Sequence, residues 1–306
     1  MLWVNIGSLA VLIKYRTLHS FVKVRLYLIR NYAFSSLSTF VFLSYFMILV
    51  DTHTHLYVEA FDDDREEMMN RALAAGVRHF FVPAIDSSYT ERMLALEKSY
   101  PNQVHLMAGL HPCHVDEGVE EELNKLIDLL ESRSFCAIGE IGIDLYWDKT
   151  FLKEQQEAFS KQIQLAKKYG LPIVIHCREA FNEVFEVLEQ HRSPDLYGIF
   201  HCFTGDKAQG LRAIDLNFSL GIGGVVTFKN GKIDQFIQEL PLESIVLETD
   251  APYLAPKPYR GKRNESGYLP LILEKVAACY QRSPQEIAEK TTANALAIFR
   301  NKNFKI

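Results

Sequence analysis

The chain has 306 residues, 48% of them hydrophobic and 23% charged, which is a globular composition with enough length to bury a large core. Its formal net charge of −5 argues against a protein that binds nucleic acid through a broadly basic surface. The five cysteines are scattered and form no C-x-x-C pair. A disulfide framework is therefore not expected, and the composition predicts a cytoplasmic protein.

The first 46 residues differ in composition from the rest of the chain. They contain five basic residues and no acidic residue, whereas the remainder carries 28 basic against 38 acidic residues. The uncharged stretch 31–50 is long enough to span a bilayer, but four serines interrupt it and its last residues are needed for the first predicted strand. We expect that translation begins at Met47 and that residues 1–46 are a wrongly assigned extension. A membrane anchor or a targeting segment is the alternative.

From Met47 onward, short apolar runs alternate with helical patterns eight times. Apolar runs of this length between helical patterns are typical of buried strands in a parallel sheet. The predicted strands are residues 48–51, 79–82, 104–108, 136–139, 173–175, 198–200, 217–220 and 245–247. The predicted helical segments are residues 63–75, 89–98, 119–131, 151–169, 178–190, 207–214 and 233–239, a segment beyond residue 268, and residues 283–290.

This pattern predicts an α/β fold, a TIM (β/α)8 barrel. Eight strand–helix units over about 260 residues match the usual size of such a barrel. A doubly wound open sheet is the alternative, but the chain has neither a Gly-rich dinucleotide fingerprint nor a phosphate-binding loop. We therefore predict a single barrel domain over residues 47–306, preceded by the atypical N-terminal extension 1–46.

Six side chains that commonly bind metals follow the apolar runs. They are His53, His55, Glu140, His176, His201 and Asp250. Because the carboxyl ends of parallel strands meet at one rim of a barrel, we expect these side chains to lie together. Each of them alone is weak evidence, but six unrelated polar residues at strand ends would be an improbable core. Four imidazoles and two carboxylates suit a pair of divalent cations. The sequence therefore predicts the binuclear metal centre of a hydrolase.

Four segments carry these residues: His53-Thr54-His55, GEIGID at 139–144, HCFTG at 201–205 and ETDAP at 248–252. Together they resemble the signatures of the TatD family of metal-dependent deoxyribonucleases, TIM barrels of the amidohydrolase superfamily. The resemblance covers Met47 to the C-terminus. It implies that a water activated by two metal ions cleaves phosphodiester bonds of DNA, commonly as a 3′-exonuclease on single strands. It also implies one metal on His53, His55 and Asp250, the other on His176 and His201, and Glu140 as the bridge.

The predicted catalytic residues are Glu140, Asp250 and His111. Asp250 can orient or deprotonate the attacking water, and Glu248, two residues earlier, would support a ligand from behind. His111 would hydrogen-bond a phosphate or a leaving group. Four imidazoles favour Zn²⁺, Mn²⁺ or Fe²⁺ over Mg²⁺, which prefers oxygen ligands. The resemblance nevertheless implies Mg²⁺, so the identity of the two divalent ions stays open.

The predicted substrate is single-stranded DNA or a DNA 3′ end, and no stable protein partner is implied. Segment 258–265 is a basic cluster that resembles a family motif written PxRGxxNEP, with Ser266 in place of the last proline. Tyr146, Trp147 and Phe203 could stack on bases, or they could simply cover the rim of the barrel. The predicted substrate-binding residues are Arg178, Thr204, Arg260, Arg263 and Asn264.

Two other functions compete with this hypothesis. A binuclear amidohydrolase or deacylase could use the same metal centre on an amide or ester, for example an aminoacyl-tRNA. A carboxylated lysine commonly bridges the metals in relatives of that type, whereas this chain has Glu140 in the matching strand. A non-catalytic scaffold would be expected to have lost at least one ligand, and all six are present.

Overall fold

Eight parallel strands form the centre of residues 47–299 in a computed structural model, which also describes residues 2–6 and 9–13. The strands are β1 Leu49–Asp51, β2 Val77–Val82, β3 Val104–Leu106, β4 Ile138–Asp144, β5 Ile173–Arg178, β6 Gly198–Phe200, β7 Phe218–Ile222 and β8 Ile245–Leu247. Each of them overlaps a predicted strand. The strands could be predicted from the sequence because both of their faces are buried, so each strand is a nearly continuous apolar run.

The strands form a TIM barrel, as predicted. Strands β1 to β3 pair in order, and so do strands β4 to β8. A parallel bridge between Ala108 and Ile138 joins β3 to β4. Strands β8 and β1 are connected on the other side of the barrel. There the backbone N–H of Thr52, the residue after β1, donates to the carbonyl of Leu247 in β8 at 3.1 Å. The carboxyl ends of all eight strands therefore face the same rim.

Helices follow most of the strands and cover the outside of the barrel. They are α1 Arg65–Ala74, α2 Thr90–Ser99, α3 Val119–Ser132, α4 Leu152–Tyr169, α5 Phe181–Gln190, α6 Lys207–Asp215, α7 Leu269–Tyr280 and α8 Pro284–Ile298. Helix α4 ends where predicted, with Gly170 in the left-handed conformation at φ 65°. Helix α8 begins with the predicted cap, in which Ser283 and Glu286 hydrogen-bond each other's backbone.

The prediction of a helix at 233–239 was wrong. The chain there forms two short 3-10 turns, Ile233–Gln235 and Ile237–Glu239. Phe236 separates the two turns with φ −134°, and Pro241 follows the second turn. A segment of seven residues gains few helical hydrogen bonds, so the burial of Ile233 and Ile237 decides its conformation.

Strands β4 and β5 extend further than predicted. Glu140 and His176 therefore lie within strands rather than after them. Arg178 is the last residue of β5, and the following helix begins three residues later, at Phe181. This difference matters because Asp144, at the end of β4, becomes the neighbour of Arg178 in the ladder.

The barrel interior holds its own apolar cluster, separate from the layer between strands and helices. It is formed by side chains such as Val50, Phe81, Val174 and Val246. Phe299, just after α8, packs on this cluster with its ring stacked on Phe81 at a centroid distance of 3.7 Å. The interior is thus a packed core, and the site lies at the end where the polar residues collect.

The N-terminal extension is described only in part. Residues Leu2–Ile6 and Leu9–Ile13 pair as two antiparallel strands, from Leu2 with Ile13 to Ile6 with Leu9. The rest of the predicted extension, and with it most of the stretch weighed as a membrane segment, lies outside the described residues. Backbone contacts divide the chain between Ser44 and Tyr45. None of the helices in the described ranges combines the length and apolar character needed to cross a bilayer.

Candidate metal centre

A β-bulge in β4 presents Glu140 to the rim of the barrel. The register with β5 shifts between Gly139 and Ile141, so Glu140 is the additional residue on its strand. Gly142 makes this possible because its φ is +141° and a Cβ there would lie 2.0 Å from the carbonyl oxygen of His176. The glycines of the GEIGID segment are thus required by the backbone that directs this carboxylate.

One oxygen of Glu140 faces the first pair of histidines. Its Oε2 lies 3.1 Å from His53 Nε2 and 3.4 Å from His55 Nε2. The two imidazole nitrogens are 3.2 Å apart. Asp250 Oδ1 lies 3.8 and 3.6 Å from the same two nitrogens. We call the space between these four side chains the first metal position.

The other oxygen of Glu140 faces three different histidines. Its Oε1 lies 2.7 Å from His176 Nδ1, 2.9 Å from His201 Nε2 and 3.3 Å from His111 Nε2. We call the space around Oε1, His176 and His201 the second metal position. The structure therefore brings all six predicted ligands together, with His111 beside them.

The remaining nitrogens of His176 and His201 face outer carboxylates. His176 Nε2 lies 2.8 Å from Asp144 Oδ2, and His201 Nδ1 lies 3.3 Å from Glu248 Oε1. A histidine that binds a metal through one nitrogen usually presents the other to a carboxylate, which fixes its tautomer and orientation. The sequence predicted this support from Glu248. It missed the same role for Asp144, although this residue ends the GEIGID segment.

His111 differs from the other histidines in the hydrogen bond on its far side. Its Nδ1 accepts the backbone N–H of Cys113 at 3.0 Å, so in the neutral ring the proton is on Nε2. Burial lowers the pKa of His111 to about 4, which keeps the ring neutral. The nitrogen facing Glu140 is therefore a donor rather than a ligand with a free lone pair.

The electrostatics of the cluster fit a ligand set. Burial alone would raise the pKa of Glu140, but the surrounding imidazoles of His201, His111 and His53 hold it well below its usual range. Burial and the neighbouring His201 lower the pKa of His53. Burial would also lower the pKa of His201, yet the carboxylates of Glu140 and Glu248 raise it well above its usual range. Glu140 is thus an ionised carboxylate within a group of imidazoles, as expected of a carboxylate that binds a cation.

Asp250 is held by the backbone of two neighbouring loops. It adopts the left-handed conformation at φ 57°, and its N–H donates to the carbonyl of His53 at 2.9 Å. A left-handed non-glycine residue at a functional site is typical of a constrained geometry. The Nδ2 group of Asn264 donates to the carbonyls of Thr249 and Tyr253, both at 2.7 Å. Burial raises the pKa of Asp250 to about 6.

Several residues predicted to contact the substrate bind other parts of the chain or are buried instead. Asn264 is fully buried and holds the Asp250 loop, so it does not reach a substrate in this structure. Arg263 binds both oxygens of Asp64 at 2.6 and 2.8 Å and stacks on Phe61. Phe203 is buried in the core, so the suggestion that it stacks on bases was wrong.

The other predicted substrate contacts are exposed. Thr204 and Arg260 both reach solvent, and the Arg260 guanidinium lies 4.4 Å from the centroid of the Phe228 ring. Arg178 is also exposed and lies over Tyr146. These three residues are available to a bound molecule at the rim.

The donor geometry fits divalent cations. In a tetrahedral shell with bonds of 2.0–2.1 Å, ligand atoms lie roughly 3.3 Å apart. The separations of 3.1 to 3.4 Å among His53 Nε2, His55 Nε2 and Glu140 Oε2 agree with this value. At the second position, Glu140 Oε1 lies 2.7 Å from His176 Nδ1 and 2.9 Å from His201 Nε2. The residues present therefore fit metal binding at both positions.

Comparisons with known proteins place the chain in a family. Residues 50–300 match the model of the family described as TatD related DNase. The chain is 38% identical over 254 residues to the metal-dependent hydrolase YabD of Bacillus subtilis, covering 83% of this chain and 99% of that protein. It is 32% identical over 257 residues to the 3′-5′ ssDNA/RNA exonuclease TatD of Salmonella typhimurium, covering 82% and 98%.

Solved structures agree with this assignment. The crystal structure of the TatD homologue YjjV from Escherichia coli matches with a TM-score of 0.78 at 32% identity, covering 82% of this chain and 97% of that chain. A TatD family hydrolase from Entamoeba histolytica shares the fold, with a TM-score of 0.74 at 20% identity, covering 82% and 98%. The barrel and its polar rim define a metal-dependent hydrolase. The chain belongs to the TatD family.

Proposed function

We propose that this chain is a divalent-metal-dependent nuclease that removes nucleotides from the 3′ end of single-stranded DNA. The observation that carries the proposal is the position of Glu140, whose two oxygens face two separate groups of histidines. That arrangement suits two cations roughly 3.5–4 Å apart, as used by many enzymes that cleave phosphodiesters. The relative from Salmonella typhimurium, which is named as an exonuclease, supports the choice of substrate.

We propose two divalent ions as cofactors, with Glu140 as their shared ligand. His53, His55 and Asp250 would complete the first position, and His176 and His201 the second. The imidazole-rich set favours Zn²⁺ or Mn²⁺ over Mg²⁺. When bound, the ions would act as Lewis acids that neutralise the charge of the phosphodiester.

Two side chains would act directly on the water and the phosphodiester during cleavage. Asp250 lies at the rim between two loops, and we infer that its carboxylate accepts a proton from the attacking water. His111 carries its proton on Nε2, and we infer that it donates a hydrogen bond to a phosphate or leaving oxygen. Glu140 and Asp144 would hold the histidines in position throughout.

The charge of the chain favours short single-stranded ends over long duplexes. The part of the chain from Met47 has ten more acidic than basic residues, so it offers little counterion release on a duplex. Binding would depend on the metal ions, on exposed Arg178 and Arg260, and on aromatic side chains at the rim. A single-stranded end can supply both a phosphate for the metals and a free base for stacking.

We also propose a cytoplasmic location. All five cysteines lie within the described residues, and all five are free thiols. Free thiols are expected where the compartment is reducing.

The experiment uses the full chain, stripped of metal with a chelator and then supplied with Mg²⁺, Mn²⁺ or Zn²⁺. Its substrate is single-stranded DNA labelled at the 5′ end, with the matched duplex and an RNA of the same sequence beside it. The proposal predicts stepwise shortening from the 3′ end that requires metal and disappears in Asp250→Asn. Failure to cut any of these substrates with two ions bound would contradict it and favour a deacylase, which aminoacyl-tRNA would then test.

A further inference from the structure

Two aromatic side chains and one arginine form an exposed patch near the second metal position. Trp147 is 73% exposed and Tyr146 is 49% exposed, and their rings meet edge to face at a centroid distance of 4.8 Å. The guanidinium carbon of Arg178 lies 3.7 Å from the centroid of the Tyr146 ring and 5.4 Å from that of Trp147. We call these three residues the platform.

Asp144 connects the platform to the metal centre. Its Oδ1 accepts the backbone N–H groups of Tyr146 at 2.9 Å and Trp147 at 3.4 Å. Its Oδ2 lies 2.8 Å from His176 Nε2. Arg178 lies opposite Asp144 in the ladder between β4 and β5 and is two residues from His176. One carboxylate therefore contacts both His176 and the backbone that carries the two aromatic rings.

The positive charge of the platform is carried by Arg178. Some exposed arginines pair with acids, as Arg192 does with Asp215 and Arg212 with Glu189, whereas Arg260 lies over the ring of Phe228. Among the described residues, no carboxylate lies within ion-pair distance of the Arg178 guanidinium, which rests on Tyr146 instead. A guanidinium held flat on a ring keeps its donors free at the edge, where they suit the oxygens of a phosphate.

We propose that the platform is a nucleotide subsite, in which a base stacks on Trp147 and the adjoining phosphate binds Arg178. The proposal rests on the nuclease function proposed above and adds where the strand is held. An indole face accepts any base, so this subsite would be tolerant of sequence. The exposed ring, the unpaired cation and the connection through Asp144 favour a single-stranded nucleic acid over a protein partner, because only the former brings a base and a phosphodiester to the metals together.

The first test measures stacking without cleavage. The chain has two tryptophans, so Trp3→Phe in the full chain leaves Trp147 as the only indole fluorophore. This protein is titrated, with Mg²⁺ present, with a phosphorothioate-linked oligothymidylate that resists cleavage and with an abasic strand of equal length. The proposal predicts saturable quenching of Trp147 fluorescence by the thymidylate and little quenching by the abasic strand. Equal quenching by both strands, or none by the thymidylate, would overturn it.

The second test measures kcat/KM on strands that carry or lack the terminal bases. Trp147→Ala should lower kcat/KM about 5- to 100-fold on the base-containing strand, mainly through KM, and change it little on the abasic strand. Trp147→Phe should retain most of the activity, and Leu211→Ala, an exposed apolar side chain on α6, should have no effect. A similar loss on both strands would indicate a structural role and overturn the base contact.

The two proposals fail in different ways. If the wild type cleaves DNA but Trp147→Ala behaves like the wild type and the fluorescence is unchanged by thymidylate, the platform is not a subsite and the nuclease function stands. If the wild type cleaves no nucleic acid with any metal, the proposed function fails, and the fluorescence titration still decides whether a base stacks on Trp147.

Discussion

The hydroxyl of Ser266 donates a hydrogen bond of 2.6 Å to Oδ2 of Asp51, and both residues are fully buried. Thr249 donates to the same carboxylate through its hydroxyl at 2.6 Å and its backbone N–H at 2.9 Å. The buried carboxylate of Asp51, at the end of β1, therefore joins two other parts of the chain. One is the loop after β8, and the other is the 3-10 turn Ser266–Tyr268, which follows the basic cluster 258–265. The family motif that this segment resembles has proline at the position of Ser266, so a hydrogen bond here replaces a rigid ring.

We expect Ser266→Ala to lower the free energy of unfolding by about 1–3 kcal/mol, because the substitution leaves a buried carboxylate with one donor fewer. Denaturant unfolding measures this change. The matched control is Ser99→Ala, since the Ser99 hydroxyl is exposed and bonds only the carbonyl of Ala95. The control should change the free energy by less than about 0.5 kcal/mol. Equal effects of the two variants would show that the Ser266 hydroxyl does not support the loop.

Asp144→Asn should weaken metal binding at the second position. The amide cannot carry the negative charge that faces His176 Nε2, and loss of such an outer partner typically costs 10- to 100-fold in affinity or activity, so we expect about that loss. Calorimetric titration of the metal-free protein with Zn²⁺ measures the affinity. Asp148→Asn is the control, because Asp148 is exposed in the same loop and hydrogen-bonds Thr150 rather than a histidine. Unchanged affinity in Asp144→Asn would remove this role from Asp144.

Arg263→Ala should affect stability rather than substrate binding. Arg263 is held by both oxygens of Asp64, a partly exposed pair whose loss we expect to cost about 1 kcal/mol. KM for single-stranded DNA should therefore remain near the wild-type value, whereas Arg178→Ala should raise it. Steady-state kinetics on both variants make the comparison. A rise in KM for Arg263→Ala equal to that for Arg178→Ala would restore Arg263 as a substrate contact.

A pair of histidines in β2 and β3 predicts sensitivity to acid. His79 Nδ1 lies 3.0 Å from His105 Nε2, and burial lowers the pKa of both, that of His105 to about 3. In the unfolded chain histidine has a pKa of about 6.5. Between pH 6.5 and pH 3 the unfolded state binds protons that the folded state does not, so stability present above pH 6.5 is lost as the pH falls.

The matching measurement is the pH dependence of unfolding in His105→Asn. Removal of one such histidine should reduce proton uptake on unfolding by at most about one proton over this range. The variant should therefore lose less stability than the wild type between pH 7 and pH 4. A steeper loss in the variant would mean that His105 is protonated in the folded protein.

The sequence was sufficient to predict the barrel and the polar residues of its rim. Apolar runs marked the strands because both faces of a parallel strand are buried, and His53, His55, His201 and Asp250 follow directly from the ends of such runs. The helix predicted at 233–239 was wrong because the apolar spacing of this segment suits a helix, whereas the segment is too short to form a stable one.

The sequence could not show where individual side chains point or which other groups of the chain they bind. The bulge at Glu140 depends on tertiary fit around Gly142, and Asp144 gains its role only because β4 extends to it. Arg263 and Asn264 belong to a polar motif that predicts substrate binding, yet their partners come from distant segments. A motif identifies polar residues without showing whether another part of the chain already binds them.

We propose that Glu140 joins two metal positions, and this bridge can be measured by titration of the metal-free full chain with Mn²⁺, followed by electron paramagnetic resonance. We expect two bound ions per chain with an exchange-coupled spectrum, because a shared carboxylate couples the two electron spins. In Glu140→Gln the coupling should be lost and kcat/KM on single-stranded DNA should fall by more than about 100-fold, since loss of a ligand should exceed loss of an outer partner. One ion per chain, or two ions without coupling in the wild type, would show that Glu140 does not bridge two metal ions.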